Sequence, residues 1–215
     1  MRLGLVTDIH EDTAHLGRAL AVFAEQHVDR IILIGDVFRM GELIGPTVEL
    51  LNAARVEGVW GNHDYGLCVN PHPEIAAKYG RPVIEFMSRL KPRLEVEGCL
   101  FTHVEPWLNP EVLFDLWYFG GLPETPEAMD KSFKAVPHRR IFCGHHHRWK
   151  VAAPSQILDW NGQRPLSLAG FPRAIIFVHA VCEGWCAIYD LAEDLLTPIS
   201  VRGLAESLPR GRATR

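Results

Sequence analysis

The sequence predicts an α/β fold in which two packed, mixed β-sheets are flanked by helices. Three observations support this fold class. Apolar strand segments alternate with helical segments in the first half, short β-rich segments with Pro and Gly turns follow residue 144, and 215 residues suffice for one hydrophobic core. No repeat or linker divides the chain, so we predict a single domain over residues 1–208 and a flexible arginine-rich tail over residues 209–215.

The first half of the chain has the pattern of βαβ units. Short apolar runs predict strands, and the segments between them have the apolar spacing of amphipathic helices. The predicted strands are Leu3–Val6, Arg30–Ile34 and Val56–Trp60, and the predicted helices are Thr13–Gln26 and Pro46–Ala54. Because strands joined by a helix run side by side in the same direction, these strands should form a parallel sheet.

The second half of the chain is richer in short strands. Buried strands are predicted at Gly98–Thr102 and Arg140–Cys143, with helices at Pro110–Tyr118 and Glu127–Lys134 between them. After Gly144 the predicted antiparallel strands are Val151–Ala153, Ile157–Leu158, Leu166–Leu168, Ala174–His179, Trp185–Tyr189 and Thr197–Val201. These segments should build the second sheet.

Charge and composition restrict the function classes. A formal net charge of −4 disfavours a nucleic-acid-binding surface. No apolar run reaches the length of a spanning helix, and the first residues are a poor signal peptide because a carboxylate follows a short apolar run. The five cysteines are scattered, which fits a reducing compartment. We therefore expect a cytoplasmic protein with neither a membrane nor a nucleic acid as partner; the sequence gives no indication of oligomeric state.

Polar residues cluster where the predicted strands end. The clusters are Asp8-Ile9-His10, Gly35-Asp36, Gly61-Asn62-His63-Asp64, His103 and Gly144-His145-His146-His147. In α/β sheets functional groups gather beyond the carboxyl ends of the strands. Carboxylate, imidazole and amide oxygen ligands suit divalent ions such as Mn, Fe or Zn, whereas no cysteine lies nearby to make a structural zinc site. The sequence therefore predicts a metal site.

This ordered set of motifs resembles the calcineurin-like metallophosphoesterase family. The family pattern is D-x-H, then G-D, then G-N-H-D/E, then a single H, then G-H-x-H, and each block occurs here in order from Asp8 to His147. The resemblance implies a four-layer α/β/β/α sandwich and metal-dependent hydrolysis of phosphate esters.

The same resemblance implies a centre of two divalent metal ions, with manganese favoured and Fe, Zn, Co or Ni as alternatives. Asp36 would bridge the two ions through its carboxylate. The remaining ligands would be Asp8, His10 and His147 for the first ion, and Asn62, His103 and His145 for the second. A hydroxide that bridges the ions would attack phosphorus in line.

Two residues receive a catalytic role from the resemblance. His63 would not bind a metal; it would contact the phosphate and protonate the leaving oxygen. Asp64 would orient the His63 ring. Because a non-catalytic scaffold or a structural metalloprotein gives no reason for a residue such as His63, the sequence favours an enzyme over both.

The substrate is predicted only by class. We expect a small-molecule or nucleotide-like phosphate ester, cleaved by a phosphodiesterase or phosphatase. The alternatives are a dinucleoside-polyphosphate hydrolase and a protein serine/threonine phosphatase; the latter is disfavoured because Val37-Phe38-Arg39 replaces that branch's Asp-Arg pair. Whether Arg39, His146 or the aromatic segment Trp107–Phe119 contacts substrate stays open. Cys182 and Cys186 are expected as a buried pair in the second sheet.

Overall fold

The computed structural model describes residues 1–118 and 120–204. The strands are β1 (Arg2–Val6), β2 (Arg30–Ile34), β3 (Glu57–Val59), β4 (Leu94–Val96), β5 (Cys99–Thr102), β6 (Arg140–Cys143), β7 (Lys150–Ala153), β8 (Gln156–Ile157), β9 (Leu166–Ser167), β10 (Ala174–Phe177), β11 (Trp185–Asp190) and β12 (Leu195–Ser200). The helices are α1 (Thr13–Glu25), α2 (Ile44–Ala53), α3 (Tyr65–Cys68), α4 (Pro73–Tyr79), α5 (Arg81–Met87), α6 (Leu113–Leu116) and α7 (Pro126–Ala135), with a 3-10 turn at Val181–Glu183. The predicted tail at residues 209–215 and Phe119 lie outside the described residues.

The strands form two mixed six-stranded sheets. The first has the order β3-β2-β1-β11-β12-β9 and the second the order β4-β5-β6-β10-β7-β8. Strands β1, β2 and β3 are parallel, as predicted, and so are β5, β6 and β10. The prediction that all strands after Gly144 are antiparallel members of the second sheet is wrong: β10 runs parallel to β6, and β9, β11 and β12 belong to the first sheet.

The two sheets pack face to face, and helices cover both outer faces. Leu5 and Ile34 of the first sheet lie in the same buried cluster as Phe101 and Phe142 of the second. Buried residues of α1, α2 and α5 pack on the outside of the first sheet, and α7 packs through Met129 and its neighbours on the outside of the second. The resulting α/β/β/α layering is the fold class that the sequence predicts.

The polypeptide between β3 and β6 differs most from the prediction. The helix expected over residues 110–118 is confined to α6, because two backbone carbonyl groups at its start are engaged elsewhere: Trp60 Nε1 donates to Pro110 O at 2.9 Å, and Tyr65 Oη donates to Glu111 O at 2.8 Å. The short helices α3, α4 and α5 were not predicted. Pro73, Gly80 and the following proline interrupt this stretch, so it carries no long amphipathic period.

The cysteines are free thiols, but their positions correct one expectation. Cys186 is buried on β11 of the first sheet, and Cys182 is half-buried in the 3-10 turn, so they are not a pair in the second sheet. Among residues 1–118 and 120–204, no helix combines the length and the apolar character needed to span a membrane.

Candidate metal centre

The predicted site residues come together at one end of the two sheets. They lie in the loops that follow β1, β2, β3, β5 and β6, where the carboxyl ends of the parallel strands meet. Hydrogen bonds and close polar contacts join all nine: Asp8, His10, Asp36, Asn62, His63, Asp64, His103, His145 and His147. The structure therefore brings together all nine residues that the sequence predicts for the site, and their roles stay predictions.

The backbone at this site is strained. Five of the nine residues have a left-handed conformation, which L-residues other than glycine rarely adopt. The φ angles are +49° for Asp8, +47° for His10, +59° for Asp36, +71° for His145 and +51° for His147. Such strain is retained where the surrounding structure fixes the backbone, and it is typical of functional sites.

Glycines of the motifs make room for the site side chains. A Cβ atom on Gly61 would lie 2.1 Å from Oδ1 of Asp36, and one on Gly35 would lie 2.4 Å from Nδ1 of His103. Both distances are shorter than any real carbon contact, so a side chain at either position would displace a predicted ligand. Gly35 also has a φ of +90°, which favours glycine by itself.

Four side chains form a first group of potential metal ligands. His147 Nε2 lies 3.2 Å from Asp8 Oδ1 and 3.3 Å from His10 Nε2. His10 Nε2 also lies 3.8 Å from Asp36 Oδ2. Two imidazole nitrogens and two carboxylate oxygens thus face one small volume. Nitrogen and oxygen donors in this combination fit a divalent transition-metal ion.

A second group forms around the amide oxygen of Asn62. Asn62 Oδ1 lies 3.0 Å from both His103 Nε2 and His145 Nδ1. His103 Nε2 lies 3.3 Å from Asp36 Oδ2, the same oxygen that approaches His10 of the first group. Asp36 therefore lies between the two groups, and only 2% of its surface is exposed.

Hydrogen bonds on the far side of the rings orient two of the histidines. His103 Nδ1 lies 2.7 Å from the carbonyl oxygen of Ile34, and His10 Nδ1 lies 3.2 Å from that of Phe38. A carbonyl oxygen accepts only, so each Nδ1 carries the proton and each Nε2 points into the site. Metal-binding histidines have this arrangement when the ring nitrogen that faces away from the metal donates to a backbone carbonyl oxygen.

The donor set fits a cation. Both ring nitrogens of His103 face acceptors, since Nε2 approaches the oxygens of Asn62 and Asp36. The ring must therefore be an imidazolium, or a cation must lie between Nε2 and these oxygens. Burial lowers the pKa of His103, but the charge of Asp36 and its hydrogen bond prevail and raise it to about 9. Metal ions replace such protons when they bind.

Burial and neighbouring charges also have opposite effects on the pKa values of the other ionisable groups of the site. Burial opposes ionisation of Asp8 and Asp36, yet the neighbouring histidines hold the pKa of both carboxyl groups below its usual value. Burial likewise lowers the pKa of His147, but Asp8 raises it to about 11. Burial and the charge of His103 lower the pKa of His145 to about 4, so His145 is a neutral imidazole that can bind a metal at once.

His63 lies at the rim of the first group. Its backbone N–H donates to Asp36 Oδ1 at 2.9 Å, and its ring meets the His10 ring edge-on with centroids 4.8 Å apart. A ring nitrogen of His63 lies within 4.8 Å of donor atoms of His10 and Asp36. The side chain is half-buried, and burial lowers its pKa. The ring therefore borders both the metal site and the solvent.

The position of Asp64 corrects the role expected for it. Its two carboxylate oxygens accept hydrogen bonds of 2.8 to 3.0 Å from the backbone N–H groups of residues 36–38 and of Gly61. Among the described residues, no hydrogen bond joins Asp64 to the His63 ring. Because its acceptor capacity is used by backbone groups, Asp64 holds the loops after β2 and β3 together instead of orienting His63.

Glu183 and Cys182 were missed by the sequence argument. Glu183 Oε1 lies 3.1 Å from Nδ1 of His147, and Cys182 Sγ lies 4.0 Å from the same nitrogen. The contact with Glu183 orients His147 as the carbonyl oxygens orient His10 and His103. Neither residue belongs to a motif; only the return of the chain through the turn before β11 places them here.

Glu11 is a buried carboxylate that the motifs did not require. Its two oxygens accept backbone hydrogen bonds of 2.6 to 3.0 Å from residues 39–41 and from Leu43. These hydrogen bonds fix the loop after β2, and with it Arg39. Arg39 is exposed and, with His10, lines a cleft of about 530 Å³.

The other residues left open by the sequence are now placed. His146 is directed toward Glu105, with Nε2 3.4 Å from Oε1, and its ring packs against Phe177. Trp117 lies beside His63, with ring centroids 5.0 Å apart. Tyr118, which follows Trp117, packs edge-on against the ring of Trp107 with centroids 5.2 Å apart. The aromatic segment thus reaches the rim of the site.

Comparison with known proteins gives a consistent result. The sequence model of the calcineurin-like phosphoesterase superfamily domain matches residues 1–162. An uncharacterised protein of Methanocaldococcus jannaschii is 24% identical over 168 residues, which are 67% of this chain and 62% of that protein. The chain thus matches less than two thirds of this relative's length.

Solved structures share the fold. A metallophosphoesterase from Sphaerobacter thermophilus superposes with a TM-score of 0.72 at 20% identity, covering 94% of this chain and 88% of its own. A structure described as a novel archaeal phosphodiesterase superposes with a TM-score of 0.55 at 14% identity, covering 93% and 99%. At these identities the likeness concerns the architecture alone.

Proposed function

We propose that this chain, a phosphoester hydrolase that belongs to the calcineurin-like phosphoesterase superfamily, uses two divalent metal ions to cleave a small phosphorylated molecule. The first ion would be held by Asp8, His10 and His147, the second by Asn62, His103 and His145, with Asp36 shared. We propose manganese as the ion, because the nitrogen and oxygen donors of these seven residues suit it.

The position of Asp36 carries the proposal. One of its oxygens approaches His10 Nε2 of the first group and His103 Nε2 of the second, at 3.8 and 3.3 Å. A single-ion site would not require ligands on both sides of one carboxylate. Paired divalent ions of this kind provide Lewis acidity, lower the pKa of bound water and neutralise charge on the phosphoryl group.

The chain's own residues supply the rest of the chemistry. His63 borders the first group and is open to solvent, so it can contact the phosphoryl group and give a proton to the leaving oxygen. Arg39 is exposed at the neighbouring cleft and offers a cation for the substrate's anionic groups. The cleft of about 530 Å³ suits a small molecule.

Metal-restored hydrolysis is the experiment that tests this function. The protein is stripped of metal, and hydrolysis of bis-p-nitrophenyl phosphate and p-nitrophenyl phosphate is measured without metal and with Mn, Ni, Zn or Mg. We expect activity only after metal is added. The ratio of diester to monoester activity then assigns the protein to phosphodiesterases or phosphatases. Metal analysis of the loaded protein should give about two ions per chain.

Variants separate the roles within the site. Asp36→Asn should abolish activity and reduce the metal content, whereas His63→Ala should abolish activity and keep the metal. Exposed residues of the same types, changed as Asp159→Asn and His72→Ala, serve as matched controls. Full activity of the Asp36 variant would overturn the proposed site. A fully loaded protein that cleaves neither ester would contradict the proposed chemistry for these substrates.

A further inference from the structure

We propose that Trp117 is a stacking platform for a flat ring in the leaving group of the phosphoester that this site cleaves, either the base of a nucleoside or an aryl ring. This inference rests on the proposed function, because it takes His63 as the residue that faces the leaving oxygen. The ring centroids of His63 and Trp117 are 5.0 Å apart. A group that extends from an oxygen held by His63 therefore begins within reach of the indole.

The exposure of Trp117 is consistent with a binding role. Its surface is 42% exposed, whereas the preceding residue, Leu116, is fully buried and anchors the short helix α6. Exposed apolar surface beside a polar site is typical of ligand-binding surfaces. Tryptophan also offers a large, rigid surface that loses little conformational entropy when a ring stacks on it.

Hydrogen bonds join both sides of the His63 loop to the segment that leads to Trp117. Trp60 and Tyr65, on either side of the motif residues 61–64, donate hydrogen bonds to the carbonyl oxygens of Pro110 and Glu111. These hydrogen bonds span 50 and 46 residues of sequence and join the polypeptide before α6 to the loop after β3. The start of the segment that carries Trp117 is therefore held beside the loop that carries His63 before any ligand binds.

The aromatic residues and Arg39 lie at different parts of the rim. Beyond Trp117, Tyr118 is also 42% exposed and packs edge-on against Trp107, over which Lys131 Nζ lies at 4.9 Å. Arg39, by contrast, lines the cleft beside His10. This division fits a molecule with an anionic phosphoryl group at the metal site and a flat group on the His63 side.

Binding of non-hydrolysable phosphonates tests the inference separately from turnover. Isothermal titration calorimetry on the manganese-loaded protein compares benzylphosphonate with cyclohexylmethylphosphonate, which have similar size but differ in flatness. We expect benzylphosphonate to bind more tightly to the unchanged protein. Trp117→Ala should weaken its binding by about 5- to 150-fold, the range for loss of one stacked base, and Trp117→Phe should retain most of the affinity.

A matched control is available on helix α6, which Trp117 directly follows. Phe114 is 89% exposed and has no contact with the site residues described, so Phe114→Ala should leave both affinities unchanged. Equal affinities of the two phosphonates for the unchanged protein, or an equal loss of both in Trp117→Ala, would overturn the inference while the hydrolase function stands. If neither phosphonate binds and neither nitrophenyl ester is cleaved, the inference fails together with the proposed function.

A further binding experiment distinguishes a nucleobase from a simple aryl ring as the group that stacks on Trp117. The phosphonate analogues of adenosine monophosphate and ribose 5-phosphate, in which a methylene replaces the ester oxygen, differ only by the base. A preference for the adenosine analogue that Trp117→Ala abolishes supports a nucleobase. Equal affinities of this pair, together with a Trp117-dependent preference for benzylphosphonate, support a simple aryl ester.

Discussion

Glu183 holds the His147 ring from the side opposite to the metal site, with Oε1 3.1 Å from Nδ1. The contact directs Nε2 of the ring toward Asp8, whose Oδ1 lies 3.2 Å away. A carboxylate behind a ligand histidine fixes the tautomer and makes the imidazole a stronger donor. His147 therefore depends on a residue 36 positions away for its orientation.

Removing this carboxylate should weaken metal binding. We expect Glu183→Ala to reduce manganese affinity about 10- to 100-fold, as is typical when a residue that hydrogen-bonds to a metal ligand is removed. Affinity is measured by competition with a chelating dye on the metal-stripped protein. Glu193→Ala, which removes an exposed acid in the turn between β11 and β12, is the matched control and should bind manganese as the unchanged protein does. An unaltered affinity of the Glu183 variant would show that His147 needs no such support.

Asp64 should be needed for the stability of the fold and not for the orientation of the His63 ring. In Asp64→Asn, the amide N–H2 group would face backbone N–H groups that now donate to the carboxylate. We expect a loss of about 3–5 kcal/mol in the free energy of unfolding, because buried donors lose charged partners. Urea unfolding of the metal-free protein measures it, with Asp159→Asn as the exposed control. If stability is retained and only turnover falls, Asp64 acts on His63 after all.

Gly61 should tolerate no side chain. The Cβ atom of Gly61→Ala would lie 2.1 Å from Asp36 Oδ1, so Asp36 or the backbone must move. We expect a loss of about 1–3 kcal/mol in stability and loss of manganese binding. Gly17 of α1 is the matched control: its Cβ would meet nothing within 4 Å, and Gly17→Ala should raise stability by about 0.5–1 kcal/mol. Chelator competition and urea unfolding report the two effects, and normal manganese affinity in Gly61→Ala would disprove the steric argument.

The sequence could predict the site because its residues lie next to strand ends. Each motif begins where a short apolar run stops, and parallel strands that end at one edge bring Asp8, Asp36 and Asn62 together without further information. The same logic predicted strands β1, β2 and β3 and their parallel order. The local sequence pattern was sufficient to predict this sheet, because βαβ connections are nearly always right-handed and few arrangements of consecutive βαβ units obey that rule.

The remaining features depend on contacts between distant parts of the chain. Glu11 and Glu183 have the appearance of ordinary surface acids, and only the fold brings one to the loop after β2 and the other to His147. Asp64 follows a motif histidine, yet backbone donors 26 to 28 residues away decide its partners. The sheet membership of β9, β11 and β12 is equally non-local, since short strands with similar alternation fit either sheet.

A buried ion pair far from the metal centre should control the acid stability of the protein. Asp194 accepts hydrogen bonds from Arg140 Nε at 2.8 Å and from Tyr189 Oη at 2.6 Å, and only 2% of Arg140 is exposed. Burial raises the pKa of Asp194, but these partners prevail and hold it below its ordinary value of 3.8. The carboxylate therefore stabilises the fold at every pH above that value.

The sign of the pH dependence follows from the lowered pKa. The stabilisation by Asp194 is complete above about pH 4 and is lost as the pH falls through its folded-state pKa, where the native carboxylate takes up a proton. Asp194→Asn should lower the free energy of unfolding at pH 7 by about 2–4 kcal/mol, because Arg140 loses its buried counter-charge. The difference between the two proteins should shrink as unfolding in urea is repeated toward pH 3. A difference that stays constant over this range would mean that hydrogen bonding to Arg140, and not the charge of Asp194, stabilises this part of the fold.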